Sequence, residues 1–100
     1  MAELLTSAQN PKFKRLAALR EKSRLRRDEG VFVVEGRREL EHCAEAGFEV
    51  ETVFVCRDIF PGEVSAPQVF ELSKELYAKV AYREGTEGVM AIVKSRDIHY

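Results

Sequence analysis

Four β-forming apolar residues in a row, Val31-Phe32-Val33-Val34, lead without a spacer into Glu35-Gly36. Leu40, Cys43 and Ala44 then recur at helical spacing. A run this short and this uniformly apolar reads as a strand buried on both faces, as in a parallel sheet. The passage from strand through glycine to helix points to a sheet with helices packed on it.

The alternation extends along the chain. Asn10-Pro11 reads as a helix start, because Asn caps free backbone N–H groups and Pro is tolerated at the first helical position. Phe13, Leu16 and Ala17 follow at helical spacing. If that helix runs far enough, Lys12, Arg15, Lys22 and Arg26 fall in one sector at about 100° per residue. Leu19 falls near the same sector. Ser23 to Gly30 is polar and reads as a loop carrying Arg24, Arg26 and Arg27, in which case the sector loses Arg26. Gly47 reads as a left-handed cap that stops the second helix, with Phe48 packing back on its last turn.

Thr52 to Cys56 reads as a second strand, and Asp58 to Pro67, with Pro61-Gly62, as a turn-rich connection. Gln68 to Leu72 reads as a third strand. Ser73 caps a helix with Leu76, Tyr77 and Val80 on one side. Tyr82 to Gly88 is a loop, and Val89 to Val93 a last buried strand. The order α-β-α-β-β-α-β implies an α/β fold with a mostly parallel sheet.

One hundred residues, 45% apolar and 33% charged, suit one folded domain rather than a disordered tail. No run approaches the roughly 20 apolar residues of a membrane span. No apolar segment near Met1 resembles a signal peptide, and a cytoplasmic setting without a membrane partner is expected. Cys43 and Cys56 are too few for a disulfide scaffold or a zinc site.

A net charge of −1 argues by itself against a polyanionic partner. Its distribution reverses that argument. Met1 to Arg38 holds ten Lys/Arg against five Asp/Glu, a net of +5, and Glu39 to Tyr100 holds six against twelve, a net of −6. Between Lys12 and Arg27 stand Lys12, Lys14, Arg15, Arg20, Lys22, Arg24, Arg26 and Arg27, with Glu21 the only acid. Such a segment is either a solvated helix face or a field that a polyanion feels, and five of the eight are arginines, whose planar forks suit phosphate.

Val34-Glu35-Gly36-Arg37-Arg38 is the most informative local feature. A glycine between strand and helix allows close backbone approach, and the first helical N–H groups face whatever lies beyond the strand end, where ligands of open α/β sheets bind. The plain alternative is a turn with a solvated arginine pair. Neither a dinucleotide-binding G-x-G-x-x-G nor a phosphate-binding G-x-x-x-x-G-K-[ST] occurs. Gly85-Thr86-Glu87-Gly88 either holds backbone near a ligand or simply turns the chain. His42 and Cys43 are adjacent on a helix and face apart, so they form no metal pair or dyad. His99 lies in the terminal segment. Glu35, Glu39 and Glu41 cluster at a helix start, as dipole arguments expect, and no catalytic site emerges. Tyr77, Tyr82 and Phe60 are candidates for stacking on bases; Tyr77 is better explained by helix-face packing, and Tyr82 is the better candidate.

Leu5-Thr6-Ser7, Asn10-Pro11 with Lys12 and Leu16, then Arg24, Gly30, Phe32 and Val34-Glu35-Gly36 resemble, in order and spacing, the N-terminal substrate-binding domain of SpoU/TrmH-type (SPOUT) RNA 2′-O-ribose methyltransferases. Gly88-Val89-Met90-Ala91-Ile92-Val93 resembles the glycine-plus-apolar strand that closes that domain. Where the family often has Thr-Pro-Gln before the closing glycine, this chain has Gly85-Thr86-Glu87.

The resemblance implies a three-layer α/β/α sandwich with a small mixed or parallel sheet, similar to kink-turn-binding ribosomal proteins. It implies recognition of rRNA or tRNA on behalf of a methyltransferase, with no DNA expected. Asn10, Lys12, Arg24, Glu35, Gly36 and Arg38 match the family's motif positions. Lys14, Arg15, Arg26 and Arg27 join them on charge alone. The implied arrangement is an RNA-binding domain over 1–94 and the start of a linker over 95–100. S-adenosylmethionine belongs, on the same resemblance, to a catalytic domain outside this chain that usually dimerises. This chain needs no cofactor or metal and is not catalytic alone. The competing readings are a stand-alone RNA-binding or protein-interaction module, the latter meeting a basic partner through the acidic residues from Glu39 onward, and a small autonomous enzyme.

Overall fold

Asn10 starts the first helix as its sequence position suggests: its side chain accepts a hydrogen bond from Lys12 N at 2.9 Å, and Pro11 sits where no N–H is needed. The computed structural model describes residues 3–62, 64, 66–81 and 87–95. Along the chain lie β1 (Glu3–Leu5), α1 (Pro11–Glu21), α2 (Ser23–Glu29), β2 (Val31–Glu35), α3 (Arg37–Glu45), β3 (Glu49–Val55), β4 (Gln68–Leu72), α4 (Lys74–Val80) and β5 (Val89–Lys94).

Local signals set most of these boundaries. Gly47 N donates to Ala44 O at 3.1 Å and Phe48 N to Cys43 O at 3.0 Å, the paired bonds of a Schellman cap that stops α3. Ser73 Oγ accepts from Leu76 N at 3.3 Å and begins α4, which buries Leu76, Tyr77 and Val80. Leu40 and Cys43 pack inward from α3, whereas Ala44 is exposed.

Two elements escape the sequence reading. β1 is three residues long with Leu5 buried and Leu4 58% exposed, too short to display a period. The polar segment expected to be a loop is the helix α2. Its only apolar anchor is Leu25, which packs on the core. Arg26 Nη1 donates to Leu19 O and Arg20 O, satisfying carbonyls that the last turn of α1 leaves open.

The sheet order is β1-β4-β3-β5-β2. β1 pairs with β4 and β4 with β3 in parallel, and β5 is antiparallel to both β3 and β2. Four strands therefore point one way and β5 alone opposes them, which makes the sheet mixed. β2 is covered on both faces, but it lies at the sheet edge and pairs antiparallel rather than in the parallel interior its apolar run suggests. Alternate residues serve the two faces. Leu5, Val31, Phe54, Phe70, Met90 and Ile92 meet α1, α2 and α4 on one side. Phe32, Val34, Val53, Ala91 and Val93 meet α3 on the other, giving three layers.

Candidate nucleic-acid interface

Because β1 to β4 run the same way, their carboxyl ends line up along one rim, and the start of β5 is threaded into it. Gly36 N donates to Val89 O at 2.9 Å, Cys56 N to Gly88 O at 2.7 Å, and Ser73 N to Leu5 O at 3.2 Å. Gly88 N donates to Tyr77 Oη at 3.0 Å. Tyr77 is thus a buried anchor of the rim, not a stacking surface.

At Gly36, φ is 107° and ψ 150°, a region open essentially to glycine alone. This lets β2 pass directly into α3. The first amide of that helix is already used: Arg37 N donates to the Glu87 carboxylate at 2.5 Å. Glu87, read from the sequence as part of a loop that either holds backbone near a ligand or turns the chain, therefore caps α3. No local signal links it to a helix fifty positions earlier.

The basic segment divides into two populations. Arg15 donates to Glu29 Oε1 at 2.9 Å and to Glu51 Oε1 at 2.9 Å, tying α1 to α2 and β3. Burial acts to lower its pKa, and the hydrogen bonds it donates to Glu51 and Glu29, with the charge of those carboxylates, outweigh that, so the guanidinium is held above its ordinary value. Arg26 caps α1. Arg20, counted in the sequence only as one of the eight cations of the basic segment, donates to Glu35 Oε1 at 3.0 Å with both side chains mostly buried.

The other population faces solvent. Lys12 stands over the Phe70 ring at 5.4 Å, and Lys14, Lys22, Arg24 and Arg27 are exposed. Arg24 and Arg27 are three apart on α2 and share a face. Arg38 is exposed in the first turn of α3. The common sector of Lys12, Arg15, Lys22 and Arg26, which required a longer first helix, does not form, because α1 ends at Glu21 and Lys22 takes an extended backbone before α2 begins. Arg57, missed in the sequence, lies just past β3. It pairs with Glu71 at 3.6 Å and donates to Gly62 O.

A cleft of about 260 Å³ opens beside the rim between α3 and the segment after β3, and another of about 390 Å³ lies near Arg15, Glu29 and Lys94. His42 is exposed. Cys43 faces the α3-side core, where burial and the nearby Glu39 push its thiol pKa up. Among the described residues no His/Cys/Asp/Glu group is arranged to hold a metal ion, and no helix is long and apolar enough to cross a membrane. Tyr82, Gly85, Thr86 and His99 lie outside the described residues, as does the segment 96–100 of the expected linker.

Comparison with known proteins meets this geometry. The sequence pattern of the MRM3-like substrate binding domain matches residues 10–91. A solved RNA 2′-O ribose methyltransferase superposes with a TM-score of 0.81 at 26% identity, over 96% of this chain and 39% of that one. An AdoMet-bound rRNA methyltransferase from Sinorhizobium meliloti superposes at 0.74 with 19% identity, over 95% and 37%. The SpoU methyltransferase AviRb from Streptomyces viridochromogenes, in complex with AdoMet, gives 0.69 with 20% identity, over 91% and 37%. At their identities the last two bear on the fold alone. This chain spans about two fifths of the length of these structures. No curated protein matches it by sequence. The family resemblance carried by the Asn10-Pro11 and Val34-Glu35-Gly36 motifs is borne out.

Proposed function

We propose that this chain, which belongs to the MRM3-like substrate binding domain family, holds structured RNA for an RNA 2′-O-ribose methyltransferase of the SpoU type and performs no catalytic step itself. The observation that carries this reading is the set of exposed cations left after Arg15, Arg20 and Arg26 are used within the fold. Lys12, Lys14, Arg24, Arg27 and Arg38, with Lys22 added, meet the phosphate backbone. Asn10, Arg15, Arg26, Glu35 and Gly36 shape the surface that presents them. Phosphate contacts of this kind position an RNA and do not read its sequence.

The RNA is ribosomal or transfer RNA, and DNA is not a partner. S-adenosylmethionine is held by a catalytic domain outside this chain, through which the parent protein forms a homodimer. The residues present here do not fit that cofactor. The rim cleft is smaller than sites that enclose a whole ligand, and in the larger one Arg15 and Lys94 are engaged with carboxylates. Free Cys43 and Cys56 suit a reducing cytoplasm.

The test is binding of structured rRNA fragments across a salt series. Affinity falls as salt rises, and Arg24→Gln with Arg27→Gln lowers the log–log slope by about 0.7–0.9 for each phosphate no longer neutralised. Affinity indifferent to salt, or a slope unchanged in the double variant, refutes the electrostatic reading. Methyl transfer by the isolated chain refutes the non-catalytic one.

A further inference from the structure

The rim cleft is not used by the cations above. Leu40 forms one wall from α3, with Arg37 and Glu41 at its mouth; Phe60 and Val64 form the other, over Val89. Its volume of about 260 Å³ is below the roughly 300–1,000 Å³ of sites that enclose a whole small molecule. It is still several times the ~30 Å³ share of one water. That is room for a single ring system whose remainder stays outside.

The walls are set in advance. Phe60 N donates to Cys56 O at 2.8 Å. Gly62 lies against the ring, where a Cβ would stand 3.0 Å from Phe60 Cζ, and Gly88 packs on Ile59 and Phe60 N. Leu40, Phe60 and Val64 remain only half-buried, so the cleft keeps apolar surface in contact with solvent. At the mouth, Arg37 Nε donates to Glu41 Oε2 at 3.0 Å with both side chains more than half exposed, a pair that opens at little cost.

We propose that this cleft receives one unpaired nucleobase of the bound RNA, stacked on Phe60, with Glu41 accepting from a base N–H and Arg37 beside the adjoining phosphate. Aromatic stacking is the usual means of holding a splayed-out RNA base. An apolar slot with one carboxylate and one guanidinium at its mouth suits a flat heterocycle that carries N–H donors and a charged tail. Each of the four RNA bases offers such a donor, so the cleft selects an unstacked base rather than a sequence. Arg37, at the mouth, lies between Gly36 and the exposed Arg38, which places the cleft beside one of the cations assigned to the phosphate backbone. This inference rests on the RNA reading above.

The 100-residue chain, isotope-labelled, is titrated with each of the four 5′-ribonucleoside monophosphates and with ribose 5-phosphate while its amide signals are followed. The nucleotides shift Leu40, Glu41 and Phe60, and ribose 5-phosphate does not. Phe60→Leu keeps the wall apolar and weakens nucleotide binding by about tenfold. Glu41→Ala, on the exposed side of α3, removes the acceptor and weakens binding without touching the core. Unmoved signals, equal shifts from ribose 5-phosphate, or unweakened binding by both variants overturns the base slot and leaves the cleft to another occupant, such as a polypeptide side chain. If salt-dependent rRNA binding persists in that case, the RNA reading stands alone; if rRNA binding is absent too, both fall.

Discussion

Arg20 donates to Glu35 across 3.0 Å and joins the last turn of α1 to the carboxyl end of β2. The two side chains are 6% and 14% exposed. The pair places a charge inside the layer that carries the rim, and it connects the basic segment to the glycine turn that starts α3.

Glu35 Oε2 is buried without a hydrogen-bond partner among the described residues. A buried pair whose lone pairs are not all satisfied contributes little net stability, yet removing one member strands the other charge. Arg20→Ala is expected to cost about 3 kcal/mol in urea unfolding, and Arg20→Met with Glu35→Leu to recover most of that. A double variant as unstable as the single one contradicts this account.

Asn10 is both a motif residue and a helix cap, and the cap accounts for it. Asn10→Ala should lower stability by about 1 kcal/mol, and Asn10→Asp should retain most of it. Neither should alter the salt slope of RNA binding. A change in slope assigns Asn10 a direct phosphate contact.

Arg15 and Arg24 separate the two populations of cations. Arg15, one-third exposed and paired with Glu29 and Glu51, should cost about 1 kcal/mol or less when changed to Gln. Its salt slope should match that of the unaltered chain. Arg24→Gln should do the reverse, leaving the unfolding midpoint in place while reducing the slope. Equal effects of the two variants on RNA binding abolish the distinction.

Gly88 is barred to other residues twice over. Its φ is 82°, and an added Cβ would stand 2.7 Å from Ile59 Cβ and 3.0 Å from Phe60 N. Gly88→Ala should destabilise by about 3 kcal/mol, combining overpacking with backbone strain. Ile59→Ala should not rescue it, because that change removes the Ile59 Cγ2 contact at 2.9 Å but keeps the closer Cβ at 2.7 Å and the Phe60 nitrogen at 3.0 Å. Recovery of the thermal midpoint in that double variant is the contrary result.

The raised Cys43 thiol carries a pH signature. Burial first, and Glu39 second, favour its neutral form in the folded chain. Between the unfolded and the folded thiol values the native state holds the proton that the unfolded state releases. Stability from this group is therefore complete below the unfolded value, about 8.5, and declines as pH rises through that window. Cys43→Ser should flatten the decline, which unfolding curves between neutral and alkaline pH would detect.

Where structure depends on neighbours in the chain, residue types announced it. Asn10-Pro11, Gly47-Phe48 and Ser73 act through bonds spanning two to five positions, and each cap forms as read. Val31 to Val34, Gln68 to Leu72 and Val89 to Val93 are strands because β-branched and aromatic side chains suit a pleated surface covered on both sides. β1 and α2 were illegible for the opposite reason. Glu3-Leu4-Leu5 is a strand through its pairing with β4, sixty-odd positions away, and α2 is fastened by Arg26 to the end of another helix.

The sequence alone determined that this chain builds helices on a sheet, that it bears a basic segment whose charge an acidic remainder cancels, and which family it resembles. Those are matters of composition, periodicity and local spacing. Which cations remain available was decided by tertiary structure: Glu29, Glu51 and Glu35 withdraw Arg15 and Arg20, and the carbonyls of α1 withdraw Arg26. So was the rim itself, with Glu87 on α3 and Phe60 facing Leu40. Hydrogen bonds and ion pairs act over a few ångströms, and only the folded chain brings residues so distant in sequence within that range.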